Sequence, residues 1–219
     1  SKDMSKGSVA EGIELLYKKN EINDVTTLTS VFDRGIQSDP RLDLAFDYLG
    51  YLGTPTRTAE QIKKELYELA CYQRLSCGPT QSSIGVSGLD KNVGKAMDIV
   101  EDLIFNAQPD TAILAGLKSD IFKSRSDSKL SQRACFSALQ KYLFYGPEFI
   151  RNTTLTNEQI AALTSDELLQ AVRDLYTKRH DILYYGPSDE TTAKNMIAEH
   201  HKISENPEPL ERIHPQARQ

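Results

Sequence analysis

Asp39-Pro40-Arg41-Leu42-Asp43-Leu44-Ala45-Phe46-Asp47-Tyr48-Leu49-Gly50-Tyr51-Leu52-Gly53-Thr54 is the stretch from which the fold of this 219-residue chain can be read. It has the punctuation of a helix. Asp39 can cap the free backbone N–H groups, Pro40 sits where a missing N–H does no harm, and Gly53 can close the end in a left-handed conformation. Leu42, Ala45, Phe46 and Leu49 make one apolar stripe at helical spacing, and Leu44, Tyr48, Tyr51 and Leu52 make a second beside it. A helix apolar on two flanks is expected between a sheet and another layer.

The segments on either side supply the sheet. On the N-terminal side, Ile13, Leu15 and Tyr17 alternate within 12–19, and Val25 to Asp33 is rich in Thr, Val and Phe, so the two read as strands of a hairpin. On the C-terminal side, Thr58 and Gln61 form a capping box for a helix through Ile62, Leu66 and Leu69. Cys71–Cys77 and Ser82–Leu89 then read as a second hairpin around Gly78-Pro79-Thr80. A block of helices follows. Asn92 is expected to cap one with Ala96, Ile99, Val100, Leu103 and Ile104 on its apolar face, and Pro109 to start another. A third runs from Ser131 to a stop at Gly146-Pro147. Thr156 with Gln159 and Thr164 with Glu167 open two more. His180–Tyr185 is a compact strand, and Ser188 caps a last helix to about His201. Strands and helices segregated in this way predict an α+β fold, a mostly antiparallel sheet of about five to six strands covered by helices. One domain is expected over 12–201, with linkers at 1–11 and 202–219. The start at Ser1, with no leader pattern, and the polar tail lead us to expect a piece of something longer.

Composition narrows the function classes. The chain is 39% hydrophobic and 26% charged, which suits a packed globular domain. A net charge of -5 disfavours an extended phosphate-binding surface, so no nucleic-acid partner is expected. No apolar run is long enough to span a bilayer. Cys71, Cys77 and Cys135 lack the spacing of a zinc knuckle, and as the two ends of one strand Cys71 and Cys77 lie about 20 Å apart, beyond a disulfide's reach. Their usage leaves the compartment open.

The apolar helix closed by Gly53-Thr54, the order of elements, and the stretches Leu155-Thr156, Leu163-Thr164-Ser165-Asp166-Glu167-Leu168 and Tyr184-Tyr185-Gly186-Pro187 resemble the pitrilysin-insulinase family of zinc metallopeptidases. The resemblance covers about Gly12 to His201. In that family's active domain the first helix carries H-x-x-E-H before its Gly-Thr. Laid on this chain, the two His positions fall on Leu44 and Tyr48 and the Glu position on Asp47. The family's third ligand is a Glu on a later helix, but the chain has no Glu between Thr111 and Pro147. Leu44 has no lone pair, Tyr48 is a phenol protonated at neutral pH, and Asp47 has no metal-bound water to activate. No catalytic, cofactor-binding or metal-ligating residue is therefore assigned, and Leu44, Tyr48, Tyr51 and Leu52 are expected in the core. The resemblance implies a catalytically inactive domain, most like the first of the family's C-terminal half. It would form part of a chamber around a peptide substrate, with the zinc and the other partners in further domains of the same polypeptide. The alternatives are a non-enzymatic protein-interaction scaffold of the same fold and an unrelated α+β binding module. His200 and His201, with His214 beyond, and the pair His180-Asp181 are weaker candidates for metal or acid–base chemistry. Neither a nucleophile elbow nor a phosphate loop is present.

Overall fold

The computed structural model describes residues 4–210. Its elements, in chain order, are β1 (Ser5–Ala10), β2 (Ile13–Lys19), β3 (Val25–Phe32), α1 (Leu42–Leu49), α2 (Ala59–Glu68), β4 (Cys71–Cys77), β5 (Ser82–Leu89), α3 (Asp90–Asn106), α4 (Thr111–Ser128), α5 (Gln132–Thr153), α6 (Asn157–Ala162), α7 (Ser165–Arg173), a 3-10 turn (Asp174–Thr177), β6 (His180–Gly186) and α8 (Glu190–His200). The six strands form a single sheet in the order β1-β2-β6-β3-β5-β4. Every pairing is antiparallel except β2 with β6. The α+β class and the mostly antiparallel sheet stand as expected.

The first hairpin does not form. β2 and β3 are separated by β6, which pairs in parallel with β2 and antiparallel with β3. The Asn20–Asp24 connection must therefore span two strand spacings, roughly 10 Å. Asn20 holds it open: its amide donates to Asn23 Oδ1 and to the Val25 carbonyl, and its backbone N–H donates to Gly186 at the end of β6. β6 takes the central place because it carries Ile182 and Tyr184 on one face and Leu183 and Tyr185 on the other, the two-sided profile of an interior strand. The second hairpin, β4 with β5, forms as read.

The expected linkers are also ordered in part. Ser5–Ala10 is a sheet edge paired with β2, Ser5 opposite Tyr17 and Gly7 opposite Leu15. Within 202–210, Glu208 accepts from the Arg179 N–H and donates its own N–H to Thr177, and its carboxylate pairs with Lys178. The remainder, 211–219, lies outside the described residues.

One face of the sheet is covered. Leu28 and Phe32 of β3, Ile84 and Val86 of β5 and Ile182 and Tyr184 of β6 are buried there beneath α3, with α1 and α2 over β4. At about 25 cal/mol per Å² such burial is the main force holding the layers together. α1 lies between β4, α7 and α4, the two-sided environment that its flanks predicted, with Leu42, Leu44, Ala45, Phe46, Tyr48, Leu49 and Leu52 buried. Tyr51 is the exception, 55% exposed one turn past Tyr48 because the helix ends at Leu49.

The three capping boxes form as read. Other ends differ. Asp39 precedes the helix by three residues, and its carboxylate instead accepts from the backbone and guanidinium of Arg41. Burial opposes that charge, but Arg41, with Arg34 nearby, holds the carboxyl below its ordinary pKa. α3 starts at Asp90, and the Asn92 amide donates to the Leu69 carbonyl at the end of α2. Asp189 rather than the expected Ser188 caps α8, and Asp110 caps α4, which begins at Thr111 instead of at the expected Pro109. Gly53 is not left-handed. A Cβ there would lie 2.4 Å from the Arg57 carbonyl oxygen, so the glycine serves a close backbone approach. Gly146 breaks α5 at φ 80° and ψ 175°, as the Gly-Pro pair predicted, but residues 147–153 resume the helix beyond it.

Candidate functional site

The sequence points first to α1, and there the structure places a structural clasp. Leu44 is 5% exposed and Tyr48 fully buried. The Tyr48 hydroxyl accepts the Asp110 N–H at 2.7 Å and lies 3.0 Å from the Asp110 carbonyl oxygen and 2.9 Å from Ser165 Oγ. It therefore joins α1 to the first turns of α4 and α7 and satisfies polar groups that burial would otherwise strand. Asp47 points outward, its carboxyl raised above the ordinary value by partial burial and then by Asp43. α4, which packs on α1, carries only Asp120 and Asp127 as acids. These residues do not fit a zinc ion: neither flank of α1 presents an imidazole or thiolate, and no group of three or more His, Cys, Asp or Glu among the described residues could hold a metal.

The second candidate surface is the uncovered face of the sheet. Strand register sets Leu16, Leu183, Thr29, Gly85 and Arg74 in one row across it, and Lys18, Tyr185, Thr27, Ser87 and Tyr72 in the next. Tyr72, Leu183 and Tyr185 are 55%, 40% and 38% exposed. Thr27 and Ser87 hydrogen-bond to each other across the strands at 2.9 Å, and the Tyr185 hydroxyl donates to Asn20. The central strands present no acid or base in these two rows. With Ser87 buried and its hydroxyl paired, what these rows expose most is the rings of Tyr72 and Tyr185 and the side chain of Leu183.

The His candidates assemble differently from their order in the sequence. His200 pairs with Asp98 at 3.0 Å on the surface, whereas His201 is buried with its Nδ1 2.5 Å from Glu101 Oε1 and its Nε2 2.8 Å from His180 Nε2. Glu101 Oε2 accepts the Lys202 N–H. His180 turns away from Asp181, and its Nδ1 faces the Lys178 carbonyl at 2.9 Å. A carbonyl only accepts, so Nδ1 of His180 carries the proton and its Nε2 accepts one from His201. Burial is the main cause that pushes His180 down to about 4, His201 adds to it, and the Lys178 carbonyl opposes it. Tyr176 packs against both rings. The arrangement locks the end of α8 to α3 and β6. Glu101 was the residue that sequence reading missed. It lies one helical turn from Met97 and beside Val100 on the buried side of α3, where a carboxylate demands a partner. His214 lies outside the described residues.

No family model matches the chain, and no curated protein does. Solved structures do. The periplasmic protease PqqL of Escherichia coli superposes with a TM-score of 0.79 at 16% identity, over 94% of this chain and 24% of that one. A peptidase M16 inactive domain from Pseudomonas fluorescens gives 0.77 at 15% identity, over 94% and 52%. The ferredoxin protease FusC, in complex with Arabidopsis ferredoxin, gives 0.82 at 10% identity, over 98% and 24%. The fold is thus that of a pitrilysin-like, M16 peptidase domain, and the chain spans about a quarter to a half of the solved chains it matches.

Proposed function

We propose that this chain is a non-catalytic domain of a larger zinc peptidase, and that its uncovered sheet face lines the chamber in which a peptide substrate is held. The observation that carries the reading is Tyr48. The position where the family's second imidazole would stand is filled by a phenol whose oxygen is committed to Asp110 and Ser165. A group so bound in the core cannot turn to a metal without stranding a buried N–H.

The domain's contribution is then binding. The exposed rings of Tyr72 and Tyr185 and the side chain of Leu183 on a rigid sheet offer a substrate contact area without demanding a particular sequence. The zinc and the carboxylate that activates water belong to another domain of the same polypeptide, one with an intact H-x-x-E-H helix.

Elemental analysis of the purified chain tests the first half. Far less than one zinc per chain is expected, and one tightly held zinc overturns the reading. For the second half, a photo-crosslinking residue replacing Leu183 or Tyr72 in the longer polypeptide should capture substrate peptide. The same probe at Tyr67, 83% exposed on α2, should not. Equal capture at all three positions would remove the chamber role.

A further inference from the structure

Helix α5 carries an apolar face that nothing among the described residues covers. At 3.6 residues per turn, Phe136, Leu139, Tyr142 and Leu143 fall within an arc of about 120°, with Arg133, Ser137 and Lys141 on the other side. That is the stripe by which a surface helix is normally buried on its own core. Here the four side chains are 60%, 53%, 48% and 63% exposed, and within 131–145 only Ala134 is even half-buried. The arm is bounded by Leu130, 87% exposed in the turn from α4, and by the Gly146 break, after which the chain returns toward the body. The four stripe residues each expose on the order of 100 Å², roughly 400 Å² together, with Phe144 and Leu130 exposed beside them. That is a patch of the size that on soluble proteins is often functional, and about half of the ~800 Å² that one partner gives to a standard interface.

Charge says what kind of surface fits. Between Thr111 and Thr153 there are seven Lys and Arg against three Asp and Glu, a formal charge of +4 in a chain whose total is -5. The rest of the chain therefore stands at -9. The complement of the arm is an apolar groove with an acidic rim. Solved chains of this fold are about two to four times as long as this one, so a domain of this size is accompanied in them by further polypeptide. A tethered neighbour meets the arm at an effective concentration in the millimolar range, which a separate copy does not reach.

We propose that the α5 arm is a docking surface for an adjoining domain of the same longer polypeptide, one that presents an acidic-rimmed apolar groove. The proposal rests on the reading of this chain as one domain of a larger protein. Hydrogen exchange of the 135–145 amides, compared between the 219-residue chain and the longer polypeptide, tests it. Exchange should slow at least tenfold in the longer polypeptide, and Phe136→Asp with Leu143→Asp should restore the fast rate there without altering exchange in the central strands. Equally fast exchange in both forms overturns the proposal. So does a 219-residue chain that dimerises at micromolar concentration and protects the arm in doing so, since the occupant would then be a second copy. Zinc content is measured on the same samples, so a failed inactive-domain reading is seen separately from a failed interface.

Discussion

Replacing Tyr48 by Phe removes one oxygen and keeps the ring, so it isolates the clasp from the packing. The site is fully buried, and the oxygen satisfies the Asp110 N–H and lies within hydrogen-bond distance of Ser165. No cavity is opened. What is lost is the pairing of a buried N–H and a hydroxyl, which costs about 1–3 kcal/mol when the partner groups are left unsatisfied. For a chain of this size each kcal/mol moves Tm by about 2–4 °C, so a fall of about 4–8 °C is expected for a 2 kcal/mol loss. Urea unfolding followed by far-UV circular dichroism gives the free-energy change directly, provided the slope with denaturant is unchanged. Ser165→Ala alone and with Tyr48→Phe closes a double-mutant cycle, and the two losses should be less than additive. A Tyr48→Phe variant within 0.5 kcal/mol of the original would refute the reasoning, because the hydroxyl would then be incidental to the fold.

Three further outcomes follow from the same geometry. Leu44→His with Tyr48→His puts two imidazoles on one flank of α1 but supplies no third ligand, so calorimetry should show only weak zinc binding and a peptide assay no turnover; hydrolysis would mean that a ligand has been overlooked. His180 ordinarily titrates near 6.5 but is held near 4 in the fold, so between those values the unfolded chain takes up a proton that the folded chain refuses, and stability falls as pH is lowered through this window by a total of about 3 kcal/mol. Urea midpoints at pH 7 and pH 4.5 should therefore differ more in the original chain than in His180→Gln, and equal differences would show that the ring is not the cause. Gly53→Ala forces a methyl against the Arg57 carbonyl oxygen, a clash that no flexible side chain can relieve, and should cost about 1–3 kcal/mol by the same unfolding assay, whereas Gly116→Ala, where nothing lies within 4 Å, should be neutral or slightly stabilising.

Local signals read best. The Thr58, Thr156 and Thr164 capping boxes, the β4–β5 hairpin and the buried flanks of α1 each depend on residues within a few positions of one another, where spacing fixes which side chains meet. Helix starts were read to within a residue or two: Asp110 caps α4 next to the Pro109 expected to start it, and Asp189 caps α8 next to the expected Ser188, whose hydroxyl instead donates to Asp90. The edge strand Ser5–Ala10 looked like a linker since half of it faces water and its partner β2 supplies the pairing.

The sequence by itself determined the α+β class, the frame of α1 and the residue types along it, which include no imidazole or thiolate, because these follow from residue type and short-range periodicity. Only the tertiary structure decided that β6 enters between β2 and β3, that Tyr48 meets Asp110 and Ser165, and that Glu101 reaches His201 and through it His180. Tyr48 meets partners 62 and 117 positions away, Glu101 meets His201 100 positions away, and Tyr185 of β6 meets Asn20 165 positions away. Closing such separations depends on the packing of whole layers, and no local spacing encodes it.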